Sequence, residues 1–383
     1  MIPRTAESEL LKLTAQFKAV AVTGPRQSGK TTLVRAVFPD KPYVNLENPD
    51  FRRFAIEDPR GFLSNYPEGA ILDEIQRTPE IFSYLQQILD EQNKPGMFVL
   101  TGSNNFLLQD NISQSLAGRV GYLFLLPLSL SEINTMEKAD MLIYKGGYPE
   151  LYNLDSDISK FYHNYIRTYI ERDVRMIKNI ADLYAFEKFV RLCAGRIGQL
   201  LNLSNLATET GVDVKTVSSW LGVLETSFIV FRLQPFYQNF NKRIVKMPKL
   251  YFYDTGLASA LLGMDNPSQL ILNPYRGSLF ENLIVVEMLK RRFNEGKRNN
   301  LFFWRDNTGN EIDLLIDKNN EIIPVEIKSG QTISSDSFKG LEYWQKLQKT
   351  ESTCYLVYAG DFSQQRSNGI RVVPFHQLNL IND

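Results

Sequence analysis

Residues 24–31 read Gly-Pro-Arg-Gln-Ser-Gly-Lys-Thr, two glycines framing a four-residue spacer, then a lysine and a hydroxyl. Glycine lets backbone N–H groups turn inward around phosphate oxygens, and a helix beginning at Lys30 would add its positive dipole end. In this pattern Gly24, Pro25, Arg26, Gln27, Ser28 and Gly29 form the cradle. Lys30 reaches the β- and γ-phosphates, Thr31 ligates Mg²⁺, and Thr32 completes the nucleotide-binding residues. An acidic pair, Asp73 and Glu74, follows the apolar Ile71-Leu72. Asp73 suits Mg²⁺ through water and Glu74 suits polarising an attacking water; the plain alternative is that both carboxylates leave the strand into solvent. Ser103 and Asn104 follow a further apolar run, and either could sit beside a γ-phosphate, or Ser103 could cap a helix. Arg119 precedes the next apolar run. It reads as a finger on a neighbouring subunit's nucleotide or as a surface arginine.

A second constellation lies near the C-terminus. Asp313 falls in the alternating segment EIDLLID, and Glu326-Ile327-Lys328 follows. Two-residue spacing puts Glu326 and Lys328 on one face of a strand, and a neighbouring hairpin strand could bring Asp313 beside them. Two acids and a lysine suit metal-assisted phosphodiester hydrolysis, with Glu281 completing the ligands from the preceding helix. The Asp…Glu-x-Lys pattern, with its order of helix, strands and helix, resembles the restriction-endonuclease-like fold. Charged residues on an edge hairpin are the plain reading.

The elements that must hold these groups follow from periodicity. Apolar runs at 18–23, 43–47, 70–73, 97–101 and 122–126 alternate with helical spacing at 32–38 and 79–92. That alternation predicts a parallel sheet covered on both faces. Residues 128–180 read as helical and rich in tyrosine. Residues 203–224 read as a helix-turn-helix: Ala207 is the small residue, Gly211 the turn, and Leu206, Val214, Val217 and Leu221 the core. Lys215, Thr216, Ser218 and Ser219 would then face DNA, and Lys242, Arg243, Lys246 and Lys249 would form a basic wing. A protein-interaction module is the alternative. A long helix over 279–293, three strands within 300–329 and a helix over 337–347 complete the reading. The expected units are 1–130, 131–183, 184–265 and 266–383.

Composition closes off other chemistry. The 383 residues are 43% hydrophobic and 22% charged, which is ordinary for a folded protein. Lys+Arg and Asp+Glu both number 43, so nucleic-acid binding would need local patches rather than a global field. The two histidines, His163 and His376, argue against a Ser-His-Asp hydrolase or a His-rich metal site. The two cysteines, Cys193 and Cys354, form no CxxC. With acidic residues where a signal peptide needs an apolar core, they are expected to be free thiols in the cytoplasm. No apolar run reaches the ~18 residues of a membrane span.

Residues 24–130 look like the ATPase module of the AAA-type superfamily. More narrowly, the chain resembles a prokaryotic AAA-family of ATP-binding proteins with a C-terminal domain of unknown function. The matching pieces, GPRQSGKT, ILDEIQR, LTGSNN, SLAGRV, GGYPE, YFYDTGLAS, GSLFEN and EIDLLID…PVEIKSG, run along nearly the whole chain. The resemblance implies ATP binding and Mg²⁺-dependent hydrolysis. The expected architecture is an α/β P-loop AAA-type core with a helical lid, a winged helix-turn-helix and a restriction-endonuclease-like α/β domain. The expected partners are ATP, DNA and, with ATP bound, further copies of the chain; the alternative is a nucleotide-driven protein-interaction switch with a silent C-terminal domain.

Overall fold

The computed structural model describes residues 2–103, 112, 115–134, 137–153, 156–170, 182–237, 245–319, 321–348 and 353–381. Five strands, β1 Ala19–Thr23, β2 Tyr43–Asn45, β3 Ile71–Asp73, β4 Phe98–Gly102 and β5 Val120–Phe124, form one parallel sheet in the order β2-β3-β4-β1-β5. The alternation of side chains explains why both faces are covered. Ala19 and Ala21 join Leu85 and Leu89 of the helix Ile81–Gln92 in one core, while Val20 and Val22 join Leu10 and Leu13 of the helix Glu7–Gln16 and Leu33 and Val34 of the helix Lys30–Val37 in the other. Strand β4 lies between β1 and β3, so the loop after β1 and the acids after β3 open at the same edge.

Short helices follow, including Leu130–Ile133, Ala139–Lys145 and Ile158–Tyr165, then Leu183–Ala194. Residues 171–181, part of the expected helical stretch, lie outside the described residues. The helices Leu203–Thr210 and Val214–Thr226 meet at Gly211, whose φ of 88° is the left-handed conformation that ends the first helix. Asp213 caps the second through the N–H groups of Lys215 and Thr216.

The hairpin of β6 Val230–Pro235 and β7 Lys249–Phe252 does not stand apart. It extends a sheet whose other strands are β8 Leu301–Arg305, β9 Glu311–Asp317, β10 Ile322–Lys328, β11 Cys354–Tyr358, β12 Gln364–Gln365 and β13 Ile370–Pro374. The order is β12-β13-β11-β10-β9-β8-β6-β7, with β6 parallel to β8. The boundary expected at 265/266 therefore divides one sheet. Strand β11, unforeseen in the sequence, lies parallel beside β10, and β13, also unforeseen, lies parallel beside β11. A single apolar cluster runs from Leu126 to Ile381 and takes in the tyrosines of the short helices, the helix pair, the hairpin and one face of this sheet.

The helix Arg276–Asn294 is buried on nearly every side and joins the two sheets. Its Lys290 Nζ donates to the Leu128 carbonyl at 2.8 Å, and its Glu287 Oε1 accepts the Leu130 N–H at 2.8 Å. Burial pushes the Glu287 carboxyl up to about 7, against the pull of Lys290. Its folded value thus lies above the ordinary 4.5. Between pH about 4.5 and 7 the folded protein keeps a proton that the unfolded chain releases, so stability falls as pH rises across that window. We expect Glu287→Gln to flatten the dependence of the thermal midpoint on pH between about 5 and 7.5, read by circular dichroism; an unchanged slope would remove Glu287 as its source.

Candidate functional site

The loop Gly24–Thr31 crosses from β1 into the helix Lys30–Val37, which starts two residues earlier than its apolar spacing suggests. Gly29, with φ 91°, serves as its N-cap. A Cβ at Gly24 would lie 2.1 Å from the Leu125 carbonyl oxygen, so the close approach of the chain just after β5 admits only glycine. Lys30 is buried and its Nζ donates to the Gly24 and Pro25 carbonyls at 3.0 and 2.7 Å. Burial draws its pKa down to about 8, while Glu74 and Asp73 counter that drop. The Ser28 hydroxyl is fully buried and has no hydrogen-bond partner among the described residues.

The acidic pair meets this loop. The Thr31 hydroxyl lies 3.1 Å from both Asp73 oxygens, and Tyr43 Oη donates to Asp73 Oδ2 at 2.6 Å. Thr101 Oγ1 also donates to Asp73 Oδ1. Asp73 is 5% exposed, so the carboxylate faces the loop rather than solvent. Glu74 adopts φ 56° and ψ 42°, a left-handed backbone that costs a non-glycine residue on the order of 1–3 kcal/mol and that clusters at functional sites. Gln76 Nε2 donates to Glu74 Oε2 at 2.5 Å and Ser103 Oγ at 3.2 Å. Of the two polar residues after β4, Ser103 thus touches Glu74; Asn104 lies outside the described residues.

Arg119 stands elsewhere. Its backbone pairs with Ala19 at the start of β1, the sheet edge opposite the loop. A five-residue strand separates it from its own loop by roughly 16 Å at ~3.3 Å per residue. Its guanidinium forms a bidentate pair with Asp90, Nε to Oδ1 at 2.6 Å and Nη2 to Oδ2 at 2.8 Å.

Residues to which the sequence assigned no part in this site lie around the loop. Arg4 Nη1 donates to the Ser28 carbonyl at 2.6 Å. Asp254 accepts from the Gly147 N–H and Tyr162 Oη, both at 2.7 Å, and from the Leu257 N–H at 2.8 Å. The GGYPE and YFYDTG segments therefore face each other across one buried carboxylate. A Cβ at Gly146 or Gly256 would collide with Tyr162 Oη, at 2.2 and 2.3 Å. Tyr148 Oη donates to Tyr165 Oη at 2.9 Å, which reaches the Arg26 carbonyl at 3.5 Å.

At the C-terminal cluster the register Val325↔Leu314, continued one step, sets Asp313 opposite Glu326. Lys328 Nζ lies 2.5 Å from Glu326 Oε1 and 4.0 Å from Asp313 Oδ2. Asp313 Oδ2 also accepts the Ile327 N–H at 2.8 Å. Burial, then the neighbouring Asp313, pushes the Glu326 carboxyl up to about 8. Glu281 turns to other partners: Lys249 Nζ at 2.9 Å and Tyr251 Oη at 2.5 Å. Among the described residues no group of three or more Asp, Glu, His or Cys is placed to hold a metal ion. Lys249, expected on a basic wing, is 2% exposed and ion-paired with Glu281 and with Glu311 at 2.5 Å. Lys242 and Arg243 lie outside the described residues. On the helix Val214–Thr226, Lys215 and Ser218 are exposed; the Thr216 hydroxyl donates to its cap Asp213 at 2.5 Å.

The parallel sheet with β4 inserted, the glycine-framed loop and the acids after β3 define an AAA-type P-loop ATPase domain. Residues 16–134 match the family model described as AAA domain. Residues 136–268 and 276–378 match two models, each described as a domain of unknown function. The chain is 31% identical over 381 residues to the uncharacterized protein Rv2008c of Mycobacterium tuberculosis, covering 98% of this chain and 84% of that one. It is 25% identical over 368 residues to the uncharacterized protein MJ1544 of Methanocaldococcus jannaschii, covering 85% and 78%. The chain belongs to the family of Rv2008c. Among solved structures it is similar to the Walker-type ATPase PABY2304 of Pyrococcus abyssi, at 13% identity and TM-score 0.44, covering 68% of this chain and 96% of that one. No helix among the described residues is long and apolar enough to cross a membrane.

Proposed function

We propose that the protein binds and hydrolyses ATP at the loop Gly24–Thr31 and uses that turnover to act on nucleic acid. The observation that supports it most is the meeting of Thr31 with both Asp73 oxygens at 3.1 Å, beside the buried Lys30 amine. A hydroxyl and a carboxylate side by side are a donor set that Mg²⁺ accepts, so Thr31 and Asp73 would hold the ion. Bound there, the ion would neutralise phosphate charge. Lys30 binds the β- and γ-phosphates. Glu74 orients the attacking water, with Ser103 and Gln76 fixing its carboxylate. Lys30→Ala should abolish turnover, and Glu74→Gln should keep ATP binding while lowering turnover at least about a hundredfold. Parent-like hydrolysis by Glu74→Gln would remove it from the chemistry.

Arg119, on the edge away from its own loop, acts on a neighbour's nucleotide in an ATP-bound homo-oligomer after leaving Asp90. Mixing inactive Arg119→Ala with inactive Lys30→Ala subunits should restore turnover. Stable mixed assemblies without recovery would argue against action in trans.

Nucleic acid is read through the helix Val214–Thr226, where Lys215 and Ser218 are exposed, in a winged helix-turn-helix whose hairpin is β6 and β7.

A second reading, a nucleotide-driven switch with a catalytically silent C-terminal domain, has a specific observation in its favour. Lys249 holds Glu281, the third carboxylate that a nuclease centre would use. The donor set does not fit a metal, so the Asp313, Glu326 and Lys328 cluster serves as an ion-pair network in a restriction-endonuclease-like fold. Incubation with duplex and single-stranded DNA and Mg²⁺ or Mn²⁺ should give no cleavage above that of Asp313→Ala. Cleavage that disappears in both Asp313→Ala and Lys328→Ala would reinstate the nuclease.

A further inference from the structure

Arg4 precedes the first helix and is 9% exposed. Its guanidinium divides among three partners. Nη1 donates to the Ser28 carbonyl at 2.6 Å, Nη2 to the Leu126 carbonyl at 2.8 Å, and Nε to Glu132 Oε1 at 3.0 Å. Glu132 is equally committed: Oε1 also accepts the Thr5 N–H at 2.7 Å and hydroxyl at 3.0 Å, and Oε2 the Ser129 N–H at 2.8 Å. Burial raises the Glu132 pKa, but Arg4 and these donors outweigh it and hold the carboxyl below its ordinary value. The pair is therefore fully charged at neutral pH, and an arginine does not lose its proton.

The Ser28 carbonyl belongs to the peptide that carries the Gly29 N–H. In a trans peptide these two groups point in opposite directions. Holding the Ser28 oxygen against a guanidinium turns the Gly29 N–H the other way, into the concave side of the loop where amides receive phosphate oxygens. The guanidinium lies close enough for this: a Cβ at Gly29 would sit 3.5 Å from Arg4 Nη1. Were this peptide to flip, an oxygen would face the phosphates in place of a donor.

We propose that Arg4 is a positioning residue of the phosphate loop, fixing the Ser28–Gly29 peptide with its N–H toward the phosphates. The proposal rests on the reading that this loop binds ATP. A purely structural Arg4 would matter only as the partner of Glu132, and substitutions at the two positions would then behave alike. The test is the Kd of a fluorescent ATP analogue with Mg²⁺, with the nucleotide-free thermal midpoint, for the full-length parent, Arg4→Lys, Glu132→Gln and the double variant Arg4→Gln/Glu132→Gln. Removing both charges avoids stranding one of them in the interior. Glu132→Gln should lower the midpoint yet leave Kd within about twofold of the parent. The double variant should fold and raise Kd at least about tenfold, the size of one lost charge-assisted hydrogen bond. Arg4→Lys keeps the charge but not three divergent donors, so its Kd should rise about threefold or more even if the double variant does not fold. A Kd for Arg4→Lys like the parent's, or for a folded double variant like that of Glu132→Gln, overturns the positioning role. Absence of analogue binding by the parent overturns the ATP site and the proposal with it.

Discussion

A buried ion that loses its partner costs several kcal/mol, so charges inside a protein tie together the segments that carry them. The Arg4–Glu132 pair is the chief instance here, with side chains 7% and 0% exposed. Through Arg4 it grips the phosphate loop at Ser28, and through Glu132 it grips Thr5 and Ser129. Thr5 in turn accepts from Asn294 Nδ2 at 2.7 Å, at the end of the long helix Arg276–Asn294. Near the other end of that helix, thirteen residues and roughly 20 Å away at ~1.5 Å per residue, Glu281 holds Lys249 of the hairpin. Contacts through Thr5 and along the helix thus run from the phosphate loop to the Glu281–Lys249 pair. The long helix packs within the apolar core that runs from Leu126 to Ile381.

The sequence made local chemistry legible and long-range pairing invisible. The loop Gly24–Thr31 could be read because its glycines, lysine and threonine are contiguous, and the geometry they need is local. The parallel sheet could be read because fully buried strands such as β1 and β4 are unbroken apolar runs. Arg4 could not, because Glu132 lies 128 positions away. Asp254 looked like part of a family motif, but its bond to Gly147 spans 107 positions. The placement of β6 and β7 in the C-terminal sheet had no signal in their own residues, since an edge partner is chosen by the whole fold. Strands β11 and β13 did carry one: Cys354–Tyr358 is an apolar run of five buried residues.

The two carboxylate sites also show why residue types alone underdetermine chemistry. Asp73 is held by hydroxyls from Thr31, Tyr43 and Thr101. Asp313, Glu326 and Glu281 have amines as partners, from Lys328 and Lys249. A carboxylate bonded to hydroxyls presents oxygen partners of the kind a hard cation takes; a carboxylate bonded to amines joins the segments that carry them. Two-residue spacing in β10 places Glu326 and Lys328 on one face in either case, so the pattern Glu-x-Lys is common to both outcomes.

Hydrogen–deuterium exchange of the full-length protein, with and without a non-hydrolysable ATP analogue and Mg²⁺, reports where the phosphates seat. If the phosphates seat in the loop, amide exchange slows across residues 24–32, where the backbone N–H groups become donors to phosphate. Unchanged exchange at 24–32, with the analogue bound and protection appearing elsewhere, would contradict a seat in the loop.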